Sequence, residues 1–362
     1  MITVSAKHRF IPLVFILVFI LLIQACGNSN PSSGSSGSTP SASANPKETA
    51  TAAPGSASPT AAGTAPATSK PPTALRVGYV GNNKLNVPSG AEGWGFSKGI
   101  ITEELKKLGI TDISFVGFTG GSDLNEALIA GRLDVGIYGD TPAITARSKG
   151  AKTKLIGQPS NSILIYLIGK KNGVKSVAEL KGKKVATQKG SVLHRYTAGI
   201  LQKEGALDPA NLLQLNSTDV ESALARGDIE AGSLNGGLAL GVIAKGYPLL
   251  DKSSNNPSLS GSLVTVATED YLAKFPGFPK VWNELRAKSL ADLKSKQDAY
   301  YELLSQINGF PVDIVKQTDA IENIATNPYT DASLKQLEDV KTFLLEQKLI
   351  DKDFVLGDWI AK

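Results

Sequence analysis

The chain reads as an α/β protein of two similar lobes, each a mostly parallel sheet flanked by helices, with a ligand cleft between the lobes. Three observations carry that reading. From Leu75 onward, short apolar runs rich in β-formers alternate with segments of helix length, the pattern of a largely parallel sheet covered by helices. One stretch occurs twice: Ala127-Leu-Ile-Ala-Gly-Arg-Leu-Asp-Val-Gly136 and Ala223-Leu-Ala-Arg-Gly-Asp-Ile-Glu-Ala-Gly232 share Ala-Leu, a glycine, an apolar residue, an acid and a final glycine in register. Apolar runs also end alike, in glycine or a small polar residue before a helix start, at Thr119–Asp123, Gly139–Pro142, Lys189–Ser191 and Leu234–Gly237.

Taken in order, the chain opens on Lys7, His8 and Arg9, followed by Phe10 to Ile23, apolar except for Pro12. An apolar core of about 14 residues is short of the roughly 20 a membrane span needs, so residues 1–26 are expected to be an export signal. The single cysteine of the 362 residues is Cys26, in Ile-Gln-Ala-Cys-Gly. The surroundings resemble a bacterial lipobox, which makes Cys26 a lipid attachment site; the alternative is a cysteine discarded with the signal. One cysteine excludes an intrachain disulfide. Residues 27–74 are Ser, Thr, Ala, Pro and Gly apart from three asparagines, with Lys47, Glu48 and Lys70 as the charges within the stretch. Nothing there buries enough apolar surface to offset chain entropy, so a disordered tether is expected.

Beyond the tether, Arg76–Val80, Ile113–Phe118, Asp134–Tyr138, Lys154–Ile156 and Ile163–Ile168 read as strands. Ser176–Glu179 and Thr218–Glu221 have the spacing of capping boxes and mark expected helix starts. The two repeated stretches read as a helix end, a glycine cap and an entering strand. After Glu269 the sequence turns helical, from Tyr271 to about Asn308 and again from Asp331 to Ile350.

The glycine junctions are where chemistry is expected. In parallel α/β sheets, ligands sit beyond the carboxyl ends of strands, where backbone N–H groups and helix N-termini favour negative charge. At Tyr138-Gly-Asp-Thr-Pro142, the proline suits a first helical turn and makes Asp140 or Thr141 the expected N-cap. An ionised Asp140 is expected to accept hydrogen bonds from a ligand amine or from neighbouring N–H groups. Its replacement by alanine is then expected to weaken binding at least tenfold, about 1.4 kcal/mol, without unfolding the protein. Tyr79 and Trp94, at or beyond the first strand's end, are candidate pocket walls.

Other functions find little support. No Gly-x-Ser-x-Gly elbow occurs, and Gly93-Trp-Gly95-Phe-Ser-Lys-Gly99 misses dinucleotide-binding spacing. With His8 in the signal, His194 is the only histidine left, so no His/Cys cluster offers a zinc site and no cofactor is expected. The formal charge is +5, and without Lys7 and Arg9 it is +3, too mild to indicate nucleic acid.

The segment Phe118-x-x-Gly-Ser-x-Leu-x-Glu-Ala-Leu-x-x-Gly-Arg-Leu-Asp-Val-Gly-x-x-Gly-Asp-Thr-Pro-Ala143, with Leu180-Lys-Gly-Lys-Lys-Val-Ala186 and Gly190-Ser-x-x-His194, resembles the aliphatic-sulfonate, taurine and nitrate family of ABC-transporter substrate-binding proteins. The resemblance implies a type II periplasmic-binding-protein fold, with residues 75–162 and 262–362 in lobe 1 and 163–261 in lobe 2. Crossover strands are implied near 160–168 and 260–268. Carried over by position, it implies ligand contacts from Tyr79, Gly121, Ser122, Gly139, Asp140, Thr141, Ser191, His194 and Asn235. Family members commonly carry Trp-Asp/Glu-Pro where this chain has Asn235-Gly-Gly237, so an aromatic wall is expected to be missing there.

The expectation is a lipid-anchored, extracytoplasmic monomer that captures a small anionic solute, foremost an aliphatic sulfonate, and delivers it to an ABC permease and ATPase complex without covalent chemistry. The alternatives are an enzyme related to the pyrimidine-precursor synthesis proteins of the same fold, and a ligand-sensing subunit.

Overall fold

The computed structural model describes residues 70–81 and 83–361. The expected signal, Cys26 and the tether as far as residue 69 lie outside the described residues. The first sheet uses β1 (Ala74–Val80), β2 (Asp112–Phe118), β3 (Val135–Gly139) and β4 (Thr153–Ile163). The chain then enters a second sheet through β5 (Ile165–Gly169), followed by β6 (Val185–Thr187), β7 (Leu212–Gln214), β8 (Ala231–Asn235) and β9 (Leu249–Lys252). It returns to the first with β10 (Gly261–Thr268).

The strand orders are β2-β1-β3-β10-β4 and β7-β6-β8-β5-β9. In both sheets the strand next to the last is a crossover strand, and it pairs antiparallel on both sides while the first three strands pair parallel. The other four strands of each sheet therefore point the same way. The repeated stretch leads into β3 and β8, which hold the same central place in their sheets. The first glycine of each copy serves one purpose: Gly131 (φ +68°) and Gly227 (φ +77°) turn the chain out of a helix through left-handed backbone that a side chain would strain.

Helices cover both faces of the sheets. They are α1 (Gly90–Ser97), α2 (Ile100–Lys107), α3 (Gly121–Ile129) and α4 (Asp140–Ser148), then α5 (Val192–Lys203), α6 (Ser217–Arg226) and α7 (Gly236–Ala244). After β10 come α8 (Glu269–Lys274), α9 (Phe278–Ser295), α10 (Gln297–Asn308), α11 (Val312–Thr318), α12 (Asp331–Glu346) and α13 (Leu356–Trp359). The period of two along β1 shows why two layers form: Leu75, Val77 and Tyr79 pack with Phe96, Ile101 and Trp282 on one face. On the other face Gly78 leaves space for Leu133, whose Cδ1 lies 2.4 Å from where a Cβ would stand. There α3, α4, α12 and α13 share a core with β10, including Leu124, Val264, Leu337 and Trp359. Burying each such side chain contributes about 1.5–3 kcal/mol. In the second sheet, α5 packs on β5 and β6, and α6 and α7 pack on β5 and β8.

Three local expectations are corrected. The N-cap of α4 is Gly139, and Asp140 is already the first helical residue, because the extended backbone of β3 runs through Gly139 (ψ 149°). Glu179 does bind the Ser176 hydroxyl and the Lys175 N–H, but only the 3-10 turn Ala178–Leu180 follows. Thr218 lies inside α6, whose N-cap is Asn216.

Candidate functional site

A cavity of about 600 Å³ opens between the two sheets. Its walls follow from the topology, because the ends of β1, β3, β6 and β8 all deliver the chain to helices that begin there. The N-cap residues Ser89, Gly120, Gly139, Ser191, Asn216 and Asn235, which start α1, α3, α4, α5, α6 and α7, all line it. Only Ser191 caps its helix with a side chain, accepting from the N–H groups of Leu193 and His194. The other five helix starts have no side-chain cap, so their first turns lack the partner that a capping side chain gives. Six positive helix ends around one cavity favour an anion there.

The residues singled out from sequence separate into two groups. Tyr79, Gly121, Gly139, Ser191 and Asn235 line the cavity together. The Tyr79 hydroxyl accepts from the Asn83 side-chain amide at 3.1 Å and donates to Asn86 Oδ1 at 3.3 Å, and burial raises its pKa. Ser122 lines a smaller neighbouring cavity of about 120 Å³ instead. Asp140 and Thr141 are buried outside the lining. The Asp140 carboxylate is used up internally: Oδ2 accepts from the N–H and hydroxyl of Ser262 at 2.7 and 2.9 Å, and Oδ1 from the Thr141 hydroxyl at 2.9 Å. Arg195, 1% exposed, places Nη2 3.7 Å from Asp140 Oδ2 and donates to the Thr141 hydroxyl and to the carbonyls of Ser258 and Ser260. These groups join α4 of the first sheet to α5 of the second beside the crossover strand β10. The role expected of Asp140 as a ligand acceptor is thus replaced by a structural one. Trp94 is likewise core, fully buried, with its indole N–H on Asp292.

His194 also lies outside the cavity lining. Its Nδ1 accepts from the Gly190 N–H at 3.2 Å, so the neutral ring holds the turn before α5. Burial, then the nearby Lys189 charge, lowers its pKa below 6.5. The unfolded chain therefore binds the proton more readily, and stability present above about pH 6.5 falls as the pH drops toward the folded-state value. Wild-type protein is expected to lose its melting-temperature advantage over His194→Gln progressively as the pH is lowered through and below about 6.5, in a fluorescence-monitored melting series. A difference that stays constant with pH would assign no such role to His194.

Sequence reasoning missed several wall residues. Tyr300, Phe310 and Asp319 reach the cavity from the segment around α10 and α11. Phe310 meets Gly237 so closely that a Cβ there would lie 2.4 Å from its ring. Phe310, set in the Gly309-Phe-Pro311 turn between two helices, thus puts an aromatic ring on the cavity wall against Asn235-Gly-Gly237. Gln188 donates from Nε2 to the Thr119 carbonyl at 3.0 Å, a direct bond between the two halves at the edge of the cavity.

Residues 107–244 match the family model described as NMT1/THI5 like. A protein of Escherichia coli (strain K12), named for the binding of aliphatic sulfonates, is 28% identical over 256 residues, which is 69% of this chain and 76% of that protein. Among solved structures, the alkanesulfonate-binding protein SsuA of Xanthomonas axonopodis pv. citri, bound to MOPS, superposes with a TM-score of 0.66 at 22% identity, over 80% of this chain and 98% of that one. The desulfurization enzyme DSZB shares the fold, with a TM-score of 0.62 at 15% identity over 79% of this chain and 96% of its own. In sequence the chain thus resembles the NMT1/THI5-like and aliphatic-sulfonate-binding proteins, and in architecture it is a two-lobed periplasmic-binding-protein fold.

Proposed function

We propose that this chain is the extracytoplasmic solute-binding component of an ABC importer, that its cargo is an aliphatic sulfonate, and that it captures this cargo without transforming it. The observation that carries the proposal is the convergence of six helix starts on one cavity, in a chain whose relatives are named for sulfonate binding. A sulfonate keeps its charge at any physiological pH and presents three oxygens to N–H donors, which suits a wall built from backbone amides. Gly121, Gly139 and Asn235 are the residues proposed to meet those oxygens, with Tyr79 and Phe310 along the apolar part of the ligand.

Residues 75–162 with 262–362, and residues 163–261, are proposed to act as two lobes that close on the ligand by bending at the crossover strands. Gln188 on the Thr119 carbonyl fits such a closed arrangement. Cys26 is proposed to carry the lipid that keeps the protein at the outer face of the membrane, beside its permease and ATPase partners.

A thermal-shift screen against alkanesulfonates, nitrate and pyrimidine precursors tests the cargo. A ligand at about 100 times its dissociation constant adds roughly 2.7 kcal/mol, which raises the melting temperature by several degrees. The expected result is a graded response to alkanesulfonates and none to pyrimidine precursors. Sulfite released from a bound sulfonate would place the protein with the enzymes of its fold instead.

A further inference from the structure

The chain holds three Asn-Gly pairs, Asn172-Gly173, Asn235-Gly236 and Asn308-Gly309. An asparagine side chain carries an electrophilic carbon one ring closure away from the next residue's amide nitrogen, and glycine leaves that nitrogen unshielded. Whether the two meet depends on the fold: on whether the N–H is tied up in a hydrogen bond, whether the side-chain amide is held, and whether water reaches both.

The structure separates the three pairs. The Gly309 N–H closes α10 by donating to the Ser305 carbonyl at 2.9 Å, and the Asn308 amide donates to Asp319 Oδ2 at 3.5 Å. The Gly173 N–H donates to the Lys170 carbonyl at 3.0 Å, and Asn172 stands in left-handed backbone (φ +58°), so a tight turn fixes both residues. Asn235 has neither restraint. It is exposed at the end of β8, with extended backbone (ψ 160°), and its side chain does not cap α7. Gly236 is the first residue of α7, so its N–H has no acceptor one turn back in its own helix. The positive end of that helix also stabilises the nitrogen once its proton has gone.

We infer that Asn235 is a site of spontaneous deamidation, which turns the start of α7 from a neutral wall of the cavity into an anionic one. Hydroxide takes the Gly236 amide proton, and the nitrogen bonds to Cγ of Asn235. The Cγ–Nδ2 bond then breaks, and ammonia leaves with a proton from water, so that hydroxide is regenerated and a cyclic imide remains. Water opens the imide at either carbonyl carbon, giving aspartate or isoaspartate. Net, one water is consumed and one ammonia released, with no oxidation or reduction.

Asn235, Gly236 and Gly237 line the cavity, and among the described residues no lysine, arginine or histidine lines it to offset a new carboxylate. Aspartate suits a helix start as well as asparagine does. The helix therefore keeps its stability while the positive end it lends the cavity is neutralised, and an anionic ligand is opposed. That effect on binding rests on the cavity being the anion site proposed above; the modification itself does not.

Peptide mapping by mass spectrometry, on wild-type protein aged at mildly alkaline pH, tests the chemistry. Asn235 is expected to convert at least about tenfold faster than Asn172 or Asn308, into two products of equal mass, and faster still as the pH rises. Equal rates at the three pairs, or an Asn235 that stays intact, would overturn the inference. Calorimetry with butanesulfonate and thermal melting of Asn235→Asp test the consequence. The expected result is affinity at least about tenfold below wild type at an unchanged or higher melting temperature. Wild-type affinity in Asn235→Asp would overturn the effect on binding and leave the anion site standing. Failure of wild type itself to bind would overturn the anion site, while the mass spectra still decide the modification.

Discussion

Asp140→Ala is expected to destabilise the protein by about 3–5 kcal/mol, the cost of breaking a buried ion pair by removing one partner. Asp140 is fully buried and Arg195 nearly so, and burial already pushes the guanidinium pKa down while the Asp140 charge opposes that shift. Alanine would leave Arg195 buried beside the Thr141 hydroxyl and two carbonyls with no opposite charge. It would also orphan the Ser262 N–H at the start of β10. Urea denaturation, with its slope checked against wild type, measures the loss. A change below about 1 kcal/mol accompanied by tenfold weaker ligand binding would return Asp140 to the ligand site.

Gly121→Ala is expected to weaken ligand binding at least tenfold and to cost about 1–3 kcal/mol of stability, the usual range for overpacking. The new Cβ would stand 2.4 Å from Pro142 Cγ and 2.6 Å from Pro142 Cβ. A proline ring in the first turn of a helix cannot rotate away, so α3 and α4 must part, and both helix starts line the cavity. Gly131→Ala is the matched control. A Cβ at Gly131 meets nothing within 4 Å, and the strain of φ +68° touches only the turn after α3. It should lower the melting temperature while affinity holds. Equal affinity in Gly121→Ala and wild type would show that the α3 and α4 starts do not touch the ligand.

The outline of this fold was legible because local rules and tertiary structure agree over most of it. Alternation along Leu75-Arg-Val-Gly-Tyr79 gives β1 its two faces, Gly131 and Gly227 stop two helices, and Ser191 caps a third as its chemistry suggests. The caps at Ser176 and Thr218 were misjudged because the same spacing also fits a single tight turn or a helix interior. Asp140 carried a helix-start signal and nothing to announce its burial. Its partners Ser262 and Arg195 lie far along the chain, on β10 and α5, and meet it only after both crossovers are made. Phe310 and Asp319 stayed invisible for a related reason. Their segment has no motif beyond helix periodicity and a Gly-x-Pro break, and only folding back against α7 brings it to the cavity.

The most direct test of the sulfonate site is isothermal titration calorimetry of wild type and Gly121→Ala with the alkanesulfonate that gives the largest thermal shift. The predicted result is one site per chain in wild type and affinity at least tenfold weaker in the variant. Absence of binding heat from any sulfonate, or equal affinity in the two proteins, would contradict a site built from converging helix starts.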